Sequence, residues 1–180
     1  EKGPVRHDTP FCIFSASKAI TAMLVHPLDQ RGELHIDDRV ADYIPEFATN
    51  KKEWVTIRHV LTHRAGIPAV PSEHADVTLL EDWDRVIALL CDSKPVSRPG
   101  RRLAYHAVTG GFVLGEVVQR VTGKSIRQFL ADEILDPLGF RDLNYGIDAE
   151  RLDEVAQSAF TGPPLPPPVG KIAKRALGVP

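Results

Sequence analysis

The feature that most restricts this chain is the run from Leu79 to Leu90, in which Leu79, Leu80, Trp83, Val86, Ile87 and Leu90 fall on one face of a helix. A helix striped this way is stable only when the stripe is covered, so the run demands partners of the same kind. Several segments share its period. Ile20, Met23, Leu24 and Leu28 recur at three- and four-residue steps after Ser15, and Val108 to Val121 continues the pattern with Gly111 and Gly115 spaced for close approach by another element. Ser125 and Gln128 form a capping box ahead of Ile126, Phe129, Leu130 and Ile134, and Thr56 caps a short helix Ile57 to His63, with Gly66 placed to terminate it.

Breakers separate these runs. Pro27 should kink or end the first helix, Arg31-Gly32 makes a turn, Pro95 to Arg102 interrupts, Gly123 ends the Val108 helix, and Asp136-Pro137-Leu138-Gly139 stops the last one. Only Leu34 to Phe47 reads as an extended piece followed by a brief helical turn, and Ile67 to Asp76 reads as loop. The stretch Gly162 to Gly170 holds Pro163, Pro164, Pro166, Pro167 and Pro168 and should be extended and poorly packed. The chain therefore reads as helical with little strand, and 180 residues at 43% hydrophobic content suit one domain.

Charge narrows the partners. A net charge of -2 from interspersed acids and bases offers no field for nucleic acid or an anionic membrane surface. No stretch approaches the ~20 apolar residues of a membrane-spanning helix. The polar start (Glu1, Lys2, Arg6, His7, Asp8) lacks a signal-peptide core, which leans toward the cytoplasm without fixing the compartment or the oligomeric state. Cys12 and Cys91 are read as free thiols.

Ser15-Ala16-Ser17-Lys18 places a hydroxyl and an ammonium one helical turn apart on one face. A serine hydroxyl becomes a useful nucleophile when a base takes its proton, and a lysine serves when burial or a nearby charge lowers its pKa; the apolar run around the pair promises burial. The helix N-terminus adds a dipole and free N–H groups for an oxyanion. The spacing alone arises by chance roughly 0.3 times in a chain with this many serines and lysines, and an N-cap serine before a solvated lysine would leave the same letters. Tyr105, in the loop after Pro99-Gly100, is a second candidate whose phenol could exchange protons with Ser15; a packing tyrosine is the alternative. His59 and His63, four apart on a helix, lack a third ligand at suggestive spacing, so no metal is expected there.

These pieces in their order resemble the class C β-lactamases, D-alanyl-D-alanine carboxypeptidases and β-lactamase-like (family VIII) carboxylesterases. Asp8-Thr9-Pro10-Phe11 leads into Ser15-Ala16-Ser17-Lys18, and Gly32-Glu33-Leu34-His35-Ile36-Asp37-Asp38 is similar to the family's GxLxLDD turn. Pro45-Glu46-Phe47 follows, then Thr56 to Pro68, similar to the family's TIRxLLTHTSGLP segment, and Pro137-Leu138-Gly139 closes the series. The resemblance implies the α/β (α+β) β-lactamase/transpeptidase-like fold, of which this chain covers mainly the helical lobe and the nucleophile helix. Residues 1–160 would form the β-lactamase-like region and 161–180 a Pro-rich tail or linker. It implies attack by Ser15 on a carbonyl of a small ester or amide substrate, with Lys18 and Tyr105 managing the proton, water releasing an acyl-enzyme, and no metal or organic cofactor taking part.

Two departures colour that expectation. The family's Tyr-x-Asn is Tyr105-His106-Ala107 here, so the carboxamide that would hold an amide substrate is missing and esters are favoured, with His106 and Ala107 as candidate substrate contacts. The family's later Lys-Thr-Gly, His-x-Gly or Trp-x-Gly strand is not found up to Pro180, nor are strands ahead of Ser15, which leads us to expect a protein about twice as long. A β-lactamase or peptidase remains the alternative within the same chemistry, and a non-catalytic binding domain the alternative outside it.

Overall fold

The computed structural model describes residues 4–70 and 77–158; the expected Pro-rich tail and the end of the Ile67 to Asp76 loop lie outside these residues. Among the described residues the backbone is helical, with two isolated bridges, Phe11 to Ala156 and Arg39 to Thr56, in place of any strand. No helix among the described residues is long and apolar enough to cross a membrane.

Helix α1 (Ser17–Gln30) follows a 3₁₀ turn at Phe14–Ala16 and buries Thr21, Leu24, Val25 and Leu28. Met23, expected on that face, is half exposed. Pro27 does not end the helix as expected. It falls in the last turn, and the N–H it lacks would have bonded the carbonyl of Met23, whose position on the solvent side lets water take that bond. A Schellman pattern closes α1: the Glu33 N–H donates to the Leu28 carbonyl at 2.9 Å and the Gly32 N–H to that of Asp29 at 3.1 Å, with Gly32 at φ +71°.

The expected extended piece is held by the first turn of a later helix, through Arg58 N–H to the Ile36 carbonyl at 2.7 Å and Ile57 N–H to that of Asp38 at 3.0 Å. Helix α2 (Val40–Tyr43) and a 3₁₀ turn (Pro45–Ala48) follow it. Helix α3 (Ile57–Leu61) starts at the Thr56 cap as expected but stops two residues early, because His63 turns left-handed at φ 59°. Gly66 therefore does not terminate it. Its role is close approach: at φ +83°, a Cβ there would lie 2.5 Å from the Ser97 carbonyl oxygen.

The amphipathic run is two pieces rather than one helix. A 3₁₀ turn covers Val77–Glu81, and α4 (Trp83–Asp92) starts afresh because the Asp82 carboxylate accepts the Arg85 N–H at 3.0 Å as an N-cap. Leu79 stays buried and Leu80 does not. Helix α5 (Thr109–Thr122) ends at Gly123 as expected and is the hub, packing on α1, α2, α3, α4 and α6 (Ile126–Leu130). Leu24 and Leu28, Val60, Val86 and Leu90, Val113 and Val117, and Leu130 meet around it, each contributing about 1.5–3 kcal/mol of burial.

After α6 come a π-turn (Ala131–Leu135) and α7 (Asp136–Leu138). Ser125 accepts the Gln128 N–H, but the Gln128 side chain donates to Asp132, so only half of the expected capping box forms. The C-terminus of α4 has an unforeseen cap: Lys52, fully buried, donates to the carbonyls of Cys91 at 2.7 Å and Ser93 at 2.6 Å, and Asn50 donates to that of Asp92 at 2.6 Å. Cys12 is exposed, Cys91 buried, and both are free.

Candidate active site

Two anchors set the approach to Ser15. The Ala156 N–H donates to the Pro10 carbonyl at 2.8 Å, and Phe14 takes φ 46°, a left-handed conformation that costs a side-chain-bearing residue about 1–2 kcal/mol. The turn is held by the Ser17 hydroxyl donating to the Phe14 carbonyl at 2.6 Å and by Ala16 N–H to that of Ile13 at 3.1 Å. Strain at such a point, over-determined by its neighbours, is a mark of functional loops. The chain so bent presents Ser15 just ahead of α1, exposed to solvent. Lys18, half-buried, reaches back and donates to Ser15 Oγ at 3.3 Å. The apolar burial expected around the pair lies elsewhere, since α1 turns Leu24, Val25 and Leu28 to the core.

Tyr105 arrives from the segment between Gly100 and α5, 90 residues on in the chain, and donates to Ser15 Oγ at 2.6 Å. Its ring lies 5.0 Å under Lys18 Nζ. Hydrogen bonding with Ser15, whose hydroxyl can donate to the phenolate once the phenol has lost its proton, holds Tyr105 below the usual tyrosine range, and the Lys18 ammonium pushes the same way. The three residues singled out from the sequence thus converge on one oxygen.

His106, offered by the sequence as a candidate substrate contact, is turned into the core. It is fully buried, its Nδ1 bonds the Ala104 carbonyl at 2.6 Å, and its Nε2 accepts the Ile67 N–H at 3.2 Å. Both ring nitrogens are spent on backbone, and burial pulls the imidazole below its ordinary pKa. Ala107, half-buried, offers only a methyl group. His59 is a capping residue: its Nδ1 accepts the Thr56 N–H at 3.2 Å while the Thr56 hydroxyl accepts the His59 N–H at 3.2 Å. His63, which sequence reading considered only as a metal ligand, packs its ring 4.9 Å from that of Tyr105. Behind this group a small cavity of about 50 Å³ is lined by Lys18, Thr21, His63, His106, Gly110 and Gly111.

A helical domain built around α5, with a serine, a lysine and a tyrosine meeting at the head of α1, is the helical part of a β-lactamase/transpeptidase-like fold. The chain belongs to the Beta-lactamase family, whose model matches residues 1–176. It is 33% identical over 150 residues to the esterase/beta-lactamase LipL of Mycobacterium tuberculosis, covering 79% of this chain and 33% of that protein. Among solved structures it is similar to a penicillin-binding protein homologue from Caulobacter crescentus, at TM-score 0.81 and 36% identity over 90% of this chain and 43% of that one. A family VIII carboxylesterase superposes at TM-score 0.79 and 39% identity, over 84% of this chain and 42% of that one. The chain thus spans a third to under half of the length of these relatives, and the family is one of β-lactamase-fold serine hydrolases that includes esterases and penicillin-binding proteins.

Proposed function

We propose that the protein is a serine carboxylesterase in which Ser15 carries the acyl group and Lys18 and Tyr105 move the proton. The observation that carries this reading is the convergence of Lys18 Nζ and Tyr105 OH on Ser15 Oγ, at 3.3 and 2.6 Å. With both groups donating, Ser15 Oγ is an acceptor; the reacting form is the one in which either partner has lost a proton and Ser15 O–H donates to it. The lowered pKa of Tyr105 favours that form.

Ser15 Oγ then attacks the ester carbonyl carbon as its proton passes to the Lys18–Tyr105 pair. The tetrahedral oxyanion collapses, the alkoxide leaves with that proton as an alcohol, and a water molecule repeats the sequence on the acyl-enzyme to release the acid. The preference for esters rests on Tyr105-His106-Ala107. A histidine turned into the core and an alanine supply no side-chain amide to grip the N–H and carbonyl of an amide or β-lactam substrate. The name of the carboxylesterase structure supports the same class, while that of LipL covers both esterase and β-lactamase.

An active-site fluorophosphonate and two chromogenic substrates test the reading. The intact protein should gain the phosphonyl mass on Ser15, lose that gain after heat denaturation or in Ser15→Ala, and hydrolyse a short-chain nitrophenyl ester far faster than a chromogenic cephalosporin. Equal rates on the two substrates would overturn the ester preference. Absence of labelling on Ser15 in the native protein would overturn the enzyme assignment and favour a non-catalytic binding domain.

A further inference from the structure

The segment bearing Tyr105 is held by one residue on both sides. The Ala104 N–H donates to the His63 carbonyl at 2.9 Å, and the His106 N–H donates to His63 Nδ1 at 3.2 Å. Tyr105 sits between these two bonds, its ring tilted at 60° against the His63 imidazole. His63 itself is fixed in a left-handed conformation just past α3, with its N–H on the Val60 carbonyl at 3.1 Å. Resting on the functional reading above, we propose that His63 is a positioning residue that aims Tyr105 at Ser15, and does so only while its Nδ1 is an unprotonated acceptor.

The chemistry follows from donor and acceptor roles. A neutral imidazole accepting at Nδ1 carries its proton on Nε2; an imidazolium has a proton on both nitrogens and would set an N–H against the His106 N–H. Two donors facing each other repel, so protonation detaches one of the two supports of Tyr105.

The surroundings oppose that protonation. Lys18 from α1 lines the same cavity, to which α5 contributes only Gly110, Gly111 and Leu114, and the rings of Tyr105 and His106 lie 4.9 and 5.7 Å from that of His63. The other titratable groups of α3 are turned away, His59 to Thr56 and Arg58 to Asp37. Burial first, and Lys18 second, hold the His63 pKa below the ordinary imidazole value.

The test separates positioning from mere structural support. Asparagine tolerates a left-handed backbone and offers Oδ1 where the histidine offers Nδ1, without titrating. In the intact protein at about pH 8, His63→Ala should label with fluorophosphonate about 10- to 100-fold more slowly than wild type, as expected when a reacting group is displaced by about an ångström. His63→Asn should restore the rate to within about threefold, the rescue expected when only an acceptor is required. A second measurement does not depend on turnover: the ¹³Cζ resonance of Tyr105, assigned with Tyr105→Phe, should move in wild type as the pH falls below about 6.5 and stay still in His63→Asn. Labelling of His63→Asn as slow as that of His63→Ala overturns the proposal, and so does a Tyr105 resonance that titrates alike in both proteins. If the wild type does not label at all, the esterase reading fails while the tyrosine resonance still decides whether His63 governs Tyr105.

Discussion

Two glycines of α5 should respond to the same substitution with opposite signs. Gly115 packs beneath Trp83: a Cβ there would lie 2.6 Å from Trp83 Cη2, 3.2 Å from its Cζ2 and 3.3 Å from Ile126 Cδ1. Trp83 cannot simply step aside. Its Nε1 donates to Glu116 Oε2 at 2.7 Å, and its ring packs 4.8 Å from that of Phe112. Gly115→Ala gains about 1 kcal/mol of helix propensity, costs about 1–3 kcal/mol in overpacking, and weakens a charge-assisted hydrogen bond worth about 1.5–3 kcal/mol. With that bond lost, the net is a loss of about 1.5–5 kcal/mol. At Gly111, one helical turn earlier, a Cβ meets nothing within 4 Å, so Gly111→Ala should gain about 0.5 kcal/mol. Urea unfolding of both variants beside wild type reads the difference, with a lower midpoint for Gly115→Ala, a slightly higher one for Gly111→Ala, and unchanged slopes. If Gly115→Ala were as stable as Gly111→Ala, the rigid contact with Trp83 would be refuted.

Other consequences concern the site and the buried charges. Lys18→Ala and Tyr105→Phe should each slow labelling of Ser15 by about 10²- to 10⁴-fold, with stability within about 1 kcal/mol of wild type because both groups bond mainly to Ser15; a fully active Tyr105→Phe would reduce the tyrosine to packing. The wild-type labelling rate should climb with pH and level off below about 10, the ordinary tyrosine pKa, since the lowered phenol is active when deprotonated; a plateau only above that value would exclude Tyr105 as the base. Lys52→Met should cost about 1–3 kcal/mol in urea unfolding by leaving the Ser93 carbonyl without its lysine donor and the Cys91 carbonyl with only the Thr49 hydroxyl; a neutral outcome would mean that the loop recaps α4 unaided. His59, His63 and His106 all have pKa values lowered chiefly by burial, so the unfolded chain binds more protons than the folded one just below about pH 6.5. Their stabilising contribution is complete above that pH and is lost as the pH falls; flat stability between about pH 7 and 5 would contradict the burial of these rings.

What the sequence determined by itself is local in origin. The apolar period of α1, α4 and α5, the caps at Thr56 and Ser125, and the stops at Gly32, Gly123 and Gly139 are decided within one or two turns of chain, so the letters suffice to place them. The Ser15 and Lys18 pair was legible for the same reason, since three residues of helix set their distance. Even at short range some details depended on competition between neighbours: Asp82 restarted a helix that the apolar stripe ran through, and Pro27 proved harmless in a final turn open to water. Tertiary structure decided everything that joins distant segments. It brought Tyr105 across 90 residues to Ser15, turned His106 inward onto Ile67, and drove Lys52 under the end of α4. Phe14 and His63 take left-handed backbone that neither residue type favours, so their letters gave no sign of it. Such conformations and buried polar groups are unfavourable in isolation and persist only because packing elsewhere supplies their partners. Whether Ser15 stands as a mere helix-capping hydroxyl or meets an ammonium and a phenol therefore depended on the fold, in which α5 packs on α1 and α3 and His63 holds the segment that carries Tyr105.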